Sequence, residues 1–248
     1  MTKSIVITGG NRGIGRAISA EFVNSGYHVI VGARKSENVE NINPDRISFF
    51  AMDVRDEDAH IALAEKAISI TGNLNVWVNN AGISSWRPIS AIDEGFFDEL
   101  MNINLKGSFW GCKAAAKYMP NGGSIINISS IAGKRGSANN AMYCATKFGM
   151  NGLTQSLAKE LGPQGIRVNA ICPVLIKTDG LMDALTTEFS PANGDPEEFI
   201  ETFRKANAAT GHLPTAEDIG SMAVYLASSA AKSVTGQCIN VDAGVYPQ

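Results

Sequence analysis

The stretch that most constrains the fold is Ser4–Gly15, SIVITGGNRGIG, with the helical segment Arg16–Ser25 directly behind it. An apolar strand feeds a glycine turn, and the turn feeds a helix. Gly9, Gly13 and Gly15 let the backbone turn tightly where a side chain would obstruct it. A helix starting at such a turn offers free N–H groups and the positive end of its dipole, which suit a pyrophosphate. The order then repeats. His28–Ala33 (HVIVGA) and Ile47–Met52 read as strands, 56–72 (DEDAHIALAEKAISITG) as an amphipathic helix with acids in its first turn, and Asn75–Asn79 (NVWVN) as a fourth strand. This alternation predicts a parallel sheet with helices on both faces.

The remaining chain continues it. Phe96–Tyr118 predicts one long helix, Gly122–Ser130 a fifth strand, Ala141–Gly162 a helix, Ile166–Ile171 a sixth strand, and 238–244 (CINVDAG) a seventh. Thr215, three residues before Asp218, predicts a capped helix through AEDIGSMAVYLAS. Asp179–Leu213 breaks the rhythm with Pro191, Gly194 and Pro196 among short amphipathic stretches. An insertion after a strand's carboxyl end is where such folds keep a lid. No repeat, linker or second domain is visible. The expectation is an α/β chain, residues 1–248 as a single domain, with a Rossmann-type doubly wound parallel sheet of about seven strands and a flap at about 179–213.

Composition excludes several function classes. A net charge of −3 leaves no footprint for nucleic acid or acidic lipid. No apolar run approaches the ~20 residues that span a bilayer, and MTKSIVITGG has no signal-peptide core. Cys112, Cys144, Cys172 and Cys238 are scattered, as are His28, His60 and His212, so neither a metal site nor a disulfide framework is expected, and a cytoplasmic location is. Lys134 and Arg135 read as exposed loop charges, and Trp86 as a pocket wall or an exposed loop residue.

Tyr143 and Lys147 stand four apart in the predicted helix Ala141–Gly162, on one face. A phenol with an ordinary pKa near ~10 is a poor base at neutral pH, and moving it down ~2–3 units takes roughly 3–4 kcal/mol. An ammonium ~4 Å away supplies about 1 kcal/mol in water and about 4 kcal/mol at an effective dielectric of ~20. The pair therefore has chemical meaning only in a partly desolvated cleft. Elsewhere it is a surface contact.

With TGGNRGIG (Thr8–Gly15), NNAG (Asn79–Gly82), Asn104, Ser130 thirteen residues before Tyr143, and YCATK (Tyr143–Lys147), the chain resembles the short-chain dehydrogenase/reductase family from Ser4 to Gly244. The resemblance implies an enzyme that interconverts a secondary alcohol and a ketone by hydride transfer. It implies Tyr143 as general acid/base, Lys147 as the group that lowers the tyrosine pKa and holds the nicotinamide ribose, Ser130 on the substrate oxygen, and Asn104 holding a water. Gly9, Asn11, Arg12, Gly13, Ile14 and Gly15 would hold the pyrophosphate end, Asp53 and Val54 the adenine, and Asn80, Ala81 and Gly82 the body of the cofactor. Val174, Ile176 and Thr178 would lie at its nicotinamide and phosphates. Arg34 falls 19 residues past Gly15, where an acid would favour NAD(H); an arginine there, with Arg12 nearby, favours NADP(H). Two positions depart from the family pattern: Val174 and Ala243 each stand where glycine is usual.

Oxoacyl thioesters, sugars or polyols and cyclic ketones are all compatible with the resemblance, which also includes oligomers built as dimers of dimers. Ala145, Gly149, Gly152 and Ser156 form a small-residue row opposite the Tyr143–Lys147 face, and Gly107, Gly111 and Ala114 form another on the Asn104 helix. Together they predict a helix-packed homo-oligomer interface. The competing reading is a dinucleotide-binding regulator without catalysis.

Overall fold

All five residues of the first strand, β1 (Ser4–Thr8), are buried, as expected of a strand covered by helices on both faces. The computed structural model describes residues 2–39 and 41–247. β1 lies inside a seven-stranded sheet with β2 (His28–Ala33), β3 (Ile47–Ala51), β4 (Val76–Asn79), β5 (Gly123–Ile128), β6 (Ile166–Pro173) and β7 (Cys238–Val241). The order is β3-β2-β1-β4-β5-β6-β7, and every neighbouring pair is parallel. The chain winds outward from β1 to β3, then crosses back to β4, so the order reverses between β1 and β4. A crevice opens at the strands' carboxyl ends at that switch point.

Side chains alternate between two cores with the period-two pattern of a strand. Ile5 and Ile7 join α1 (Gly13–Asn24) and α8 (Ala216–Ala227) through Ile18, Phe22, Ile219 and Leu226. Val6 and Trp77 face α2 (Glu57–Thr71), α4 (Gly107–Tyr118) and α5 (Ala141–Leu161) through Leu63, Ala115, Met119 and Leu161. The Thr215–Asp218 spacing forms a reciprocal capping box at the start of α8.

The expected single helix over Phe96–Tyr118 is divided. α3 (Glu94–Leu100) and α4 flank a π turn, Met101–Lys106, that holds Asn104. A π turn inserts a residue into the helical ladder and re-aims the side chains around it.

Asp179–Leu213 contains α6 (Asp179–Leu185) and α7 (Pro196–Asn207). α7 has Asp195 as N-cap, proline in its first turn with Glu197 and Glu198, and Arg204 and Lys205 in its last, an arrangement that complements the helix dipole. Leu185, Ala184 and Ala192, with Phe189, Phe199 and Ile200 around them, make a small separate core. Trp86 is the bulkiest side chain in it, at 8% exposure. It is thus an anchor tying the loop after β4 to the insertion, not an exposed loop residue.

Candidate active site

The glycine turn is shaped by close contact. Gly9 and Gly13 have φ of +66° and +51°. A Cβ on Gly15 would stand 2.1 Å from the Gly9 carbonyl oxygen and 2.4 Å from Asn80 Nδ2, so the turn folds this way only with glycine there. Ser19 Oγ donates within the turn to the carbonyls of Gly10 and Gly15, and Asn11 Nδ2 donates to the Lys35 carbonyl after β2. Arg12 is the N-cap of α1 but gives it no side-chain cap, and the first turn carries no acid. The opening N–H groups and the half-buried Ile14 thus form a cradle for an anion that approaches along the backbone. This geometry fits a dinucleotide pyrophosphate.

β4 ends beside that turn. Asn80 Nδ2 donates to the carbonyls of Thr8 and Gly9, while Thr8 Oγ1 accepts from the N–H groups of Asn80 and Ala81. Beneath them Asn79 Nδ2 donates to Asn127 Oδ1, and Asn127 Nδ2 to Thr154 Oγ1 on α5. This buried amide chain fixes β4, β5 and α5 relative to one another. Asn104 is fully buried. Its Oδ1 accepts from the Ile83 N–H at 2.8 Å, and its Nδ2 donates to the Ile83 carbonyl at 2.9 Å, with a longer bond to Thr146 Oγ1. Its amide therefore clasps the backbone just past Gly82.

Ser130 follows β5 as the cap of a one-turn helix, its Oγ accepting from the Ala132 N–H at 3.0 Å. Three residues later the chain touches α5: a Cβ on Gly133 would be 2.7 Å from the Lys147 carbonyl, and Asn151 Nδ2 donates to the Gly133 carbonyl. That approach brings the Ser130 hydroxyl to Tyr143. Lys147 is buried, with its ammonium donating to the Ile128 carbonyl at 2.8 Å and lying 5.6 Å from the Tyr143 ring centre. A Cβ on Gly82 would be 3.2 Å from Asn104 Oδ1 and 3.8 Å from Lys147 Nζ. Gly82, Asn104 and Lys147 thus gather at one point of the crevice.

The electrostatics differ from expectation. Burial pushes the Tyr143 phenol up to about 12, only partly offset by the hydrogen bond from Ser130. Burial pushes the Lys147 ammonium down to about 8. Burial sets the direction at Tyr143, and Lys147 is not among the charges that shift it here. At neutral pH the pair holds a phenol proton and an ammonium side by side.

Three relatives place this crevice among known proteins. A family model described as enoyl-(acyl carrier protein) reductase matches residues 9–246. A 3-oxoacyl-[acyl-carrier-protein] reductase of Staphylococcus aureus is 37% identical, covering 99% of both chains. An L-2,3-butanediol dehydrogenase of Corynebacterium glutamicum is 33% identical, again over 99% of both. The crystal structure of levodione reductase superposes with a TM-score of 0.90 at 30% identity, covering 98% of this chain and 96% of that one. The chain belongs to the short-chain dehydrogenase/reductase family. It is an oxidoreductase acting on CH–OH groups.

The other candidate residues of this dehydrogenase/reductase lie around the same crevice. Arg34 ends beyond β2 and is exposed, as is Arg12. Asp53 is gripped by Arg55, whose Nη2 lies 2.6 Å from Oδ2; that bond first, and the Arg34 charge last, hold the Asp53 carboxyl below its ordinary range. Val54 packs its carbonyl against Gly107. Thr178 comes within 3.4 Å of a Cβ built on Gly13 and caps α6 by accepting from the Leu181 N–H, while Ile176 is buried. The loop after β6 therefore reaches over the glycine turn. Val174 is half-buried and lacks a positive φ, so its backbone does not require the usual glycine. Ala243 does have one, +56°, and the family pattern's glycine marks a real conformational demand there.

Two expectations need correction. The row Gly107, Gly111 and Ala114 does not face outward: all three are buried, and a Cβ on Gly111 would strike Asn79 Oδ1 at 2.0 Å. These small residues let α4 press onto its own sheet. Lys134 is not a free loop charge, since its ammonium donates to the Cys238 carbonyl at 2.6 Å; Arg135 is exposed, over the Tyr246 ring. The sequence reading also missed Gly133, Thr146 and the Ile128 carbonyl. Only Gly133 carried a signal, as an isolated glycine beside a loop that must approach a helix. Among the described residues no cluster suits a metal ion, and no helix is long and apolar enough to cross a membrane.

Proposed function

We propose that this enzyme interconverts a ketone and a secondary alcohol using NADP(H) in preference to NAD(H). The observation that carries the reading is the convergence of Ser130, Tyr143 and Lys147 beside a glycine turn that only a backbone-hugging anion fits. When bound, the nicotinamide dinucleotide supplies or accepts the hydride. The protein's residues do the rest. In reduction the Tyr143 phenol gives its proton to the carbonyl oxygen, and in oxidation it takes the proton back. The Ser130 hydroxyl donates a hydrogen bond to the same oxygen and fixes its direction toward the phenol. Lys147 faces the ribose and, while protonated below about pH 8, sets a positive charge beside the Tyr143 phenol. Asn104 keeps Ile83 and Gly82 in place, so the floor of the crevice does not shift during turnover.

Arg34 and Arg12, both exposed at the end of β2 and in the glycine turn, support a 2′-phosphate. Asp53 and Val54 are assigned to the adenine, and Ala81 with Gly82, Val174 and Ile176 to the nicotinamide half. The insertion at about 179–213 acts as a lid anchored by Trp86. The names of the relatives point to oxoacyl thioesters, vicinal diols with their hydroxyketones, and cyclic diketones as the substrate panel. NADPH oxidation with each carbonyl, and the reverse assay with each alcohol, tests the reading, with NADH in parallel. Turnover of one substrate class with a higher kcat/KM for NADPH is expected. Tight dinucleotide binding with no turnover would instead indicate the silent regulator.

The protein assembles through α5 and the outer face of α4. Gly152 and Ser156 are exposed mid-helix, nothing of the chain lies within 4 Å of a Cβ on Gly152, and Phe109 and Phe148 are exposed beside them. An apolar groove of about 660 Å³ runs between Phe109 and Trp110 on one side and Gly152 and Leu153 on the other. A glycine in a helix interior costs about 1 kcal/mol relative to alanine, and close approach of a second helix repays it. A homotetramer of two-fold pairs, working in the reducing cytoplasm with its four free thiols, is the assembly we assign.

A further inference from the structure

We propose that His60 is a positioning residue for the adenine end of the dinucleotide site. This rests on the assignment of Asp53 and Val54 to the adenine. His60 lies in the first turn of α2 and is fully buried. Its Nε2 is 2.9 Å from the Val54 carbonyl oxygen. A carbonyl only accepts, so Nε2 carries the proton and Nδ1 is left as the acceptor. Nδ1 is itself buried with no hydrogen-bond partner. Burial favours the neutral ring, against the opposing pull of the Val54 bond, Asp56 and Glu57. An apolar side chain would fill this space beside Trp77 without an orphaned nitrogen. What the imidazole adds is a donor aimed at one carbonyl.

That carbonyl is held from two sides. A Cβ on Gly107, at the start of α4, would be 3.0 Å from it, so the Val54 peptide is wedged between His60 on α2 and the helix that follows the Asn104 turn. Around it the strand end is already fixed: Met52 N–H donates to the Ala33 carbonyl, Asp56 N–H to the Asp53 carbonyl, and Arg55 grips the Asp53 carboxylate. His60 adds a hold on the carbonyl of the Val54–Arg55 peptide, whose N–H already donates to Asp53 Oδ1. Without its bond the Val54 carbonyl loses this donor and the strand end loosens, so the surface offered to an adenine ring loses its shape, while Ser130, Tyr143 and Lys147 are untouched.

The test compares His60→Leu, which fills the space without a donor, with His60→Gln, whose amide can restore the bond. His60→Leu is expected to raise the Kd for NADPH and for adenosine 2′,5′-bisphosphate, measured by calorimetry, by roughly tenfold. The KM for NADPH rises with it, while kcat and the KM of the carbonyl substrate stay within about twofold. His60→Gln recovers most of the affinity. Asp53→Ala reports on the underlying assignment: if it weakens both nucleotides and His60→Leu does not, the His60 proposal is overturned and the adenine assignment stands. If Asp53→Ala weakens neither, the assignment fails and the proposal with it. Should His60→Leu not fold, the wild-type protein decides. Titration with adenosine 2′,5′-bisphosphate is expected to shift the His60 ring nitrogen resonances and leave His212 unmoved, and an unmoved His60 signal contradicts the proposal.

Discussion

Tyr143 and Lys147 meet in a place too dry for either to keep its ordinary pKa, and burial drives them in opposite directions, to about 12 and about 8. Below pH ~8 the pair holds both protons, the form that reduces a ketone. As pH rises through about 8 the Lys147 ammonium loses its proton while Tyr143 stays a phenol, and the positive charge beside the proton donor is lost. Ketone reduction is therefore expected to fall as pH rises through about 8, while alcohol oxidation, which needs the ionised phenol, rises only toward the alkaline end, as pH–rate profiles from pH 6 to 10 will show. Two flat profiles contradict the assignment. Ala243 makes a different residue-scale prediction. Its φ of +56° costs an L-residue about 1–2 kcal/mol, and glycine returns part of that gain to the unfolded chain, about 0.4–1 kcal/mol. Ala243→Gly should raise the melting temperature by about 1–3 °C. A lower one would show that the alanine methyl has packing value that exceeds the strain.

At the scale of elements, the π turn Met101–Lys106 converts a long helix into a holder for the end of β4. Asn104 makes both bonds of an amide clasp to Ile83. Asn104→Ala leaves an N–H and a carbonyl without those partners and is expected to cost about 1–3 kcal/mol in denaturant unfolding, with a loss of kcat as Gly82 loosens. Unchanged stability would mean the clasp is dispensable. The sequence shows an asparagine in mid-helix that calls for a reason, but not the reason. Helical periodicity runs through a π turn almost undisturbed, so the division of Phe96–Tyr118 is invisible until the hydrogen bonds are counted. The strands and the glycine turn were legible because their signals are local: unbroken apolar runs, and glycines where a Cβ would collide. The small row on α4 shows the limit, since Gly107, Gly111 and Ala114 read equally well as an outer or inner contact. Only the position of Asn79 and Val54 decides it.

At the scale of the molecule, the crevice at the β1/β4 switch point collects groups from β4, β5, the π turn, α5 and the loop after β6, none adjacent in sequence. Ser130, Tyr143 and Lys147 could be named from the family resemblance, though the Tyr143–Lys147 spacing alone reads equally as a surface contact. Their opposed pKa shifts could not, because those depend on how deeply the assembled fold buries them. Assembly is tested on the opposite face of α5. Gly152→Glu places a charge where the chain itself has open space, so the monomer should fold while light scattering shows a smaller particle than the wild-type protein. A monomeric wild type would contradict the interface. The proposed reaction runs through the Tyr143 hydroxyl as proton donor and acceptor. The most direct measurement is turnover and NADPH affinity of Tyr143→Phe, which removes one oxygen from the site. A fall in kcat of at least ~100-fold with NADPH binding retained is expected. Turnover within a few-fold of the wild type would contradict it.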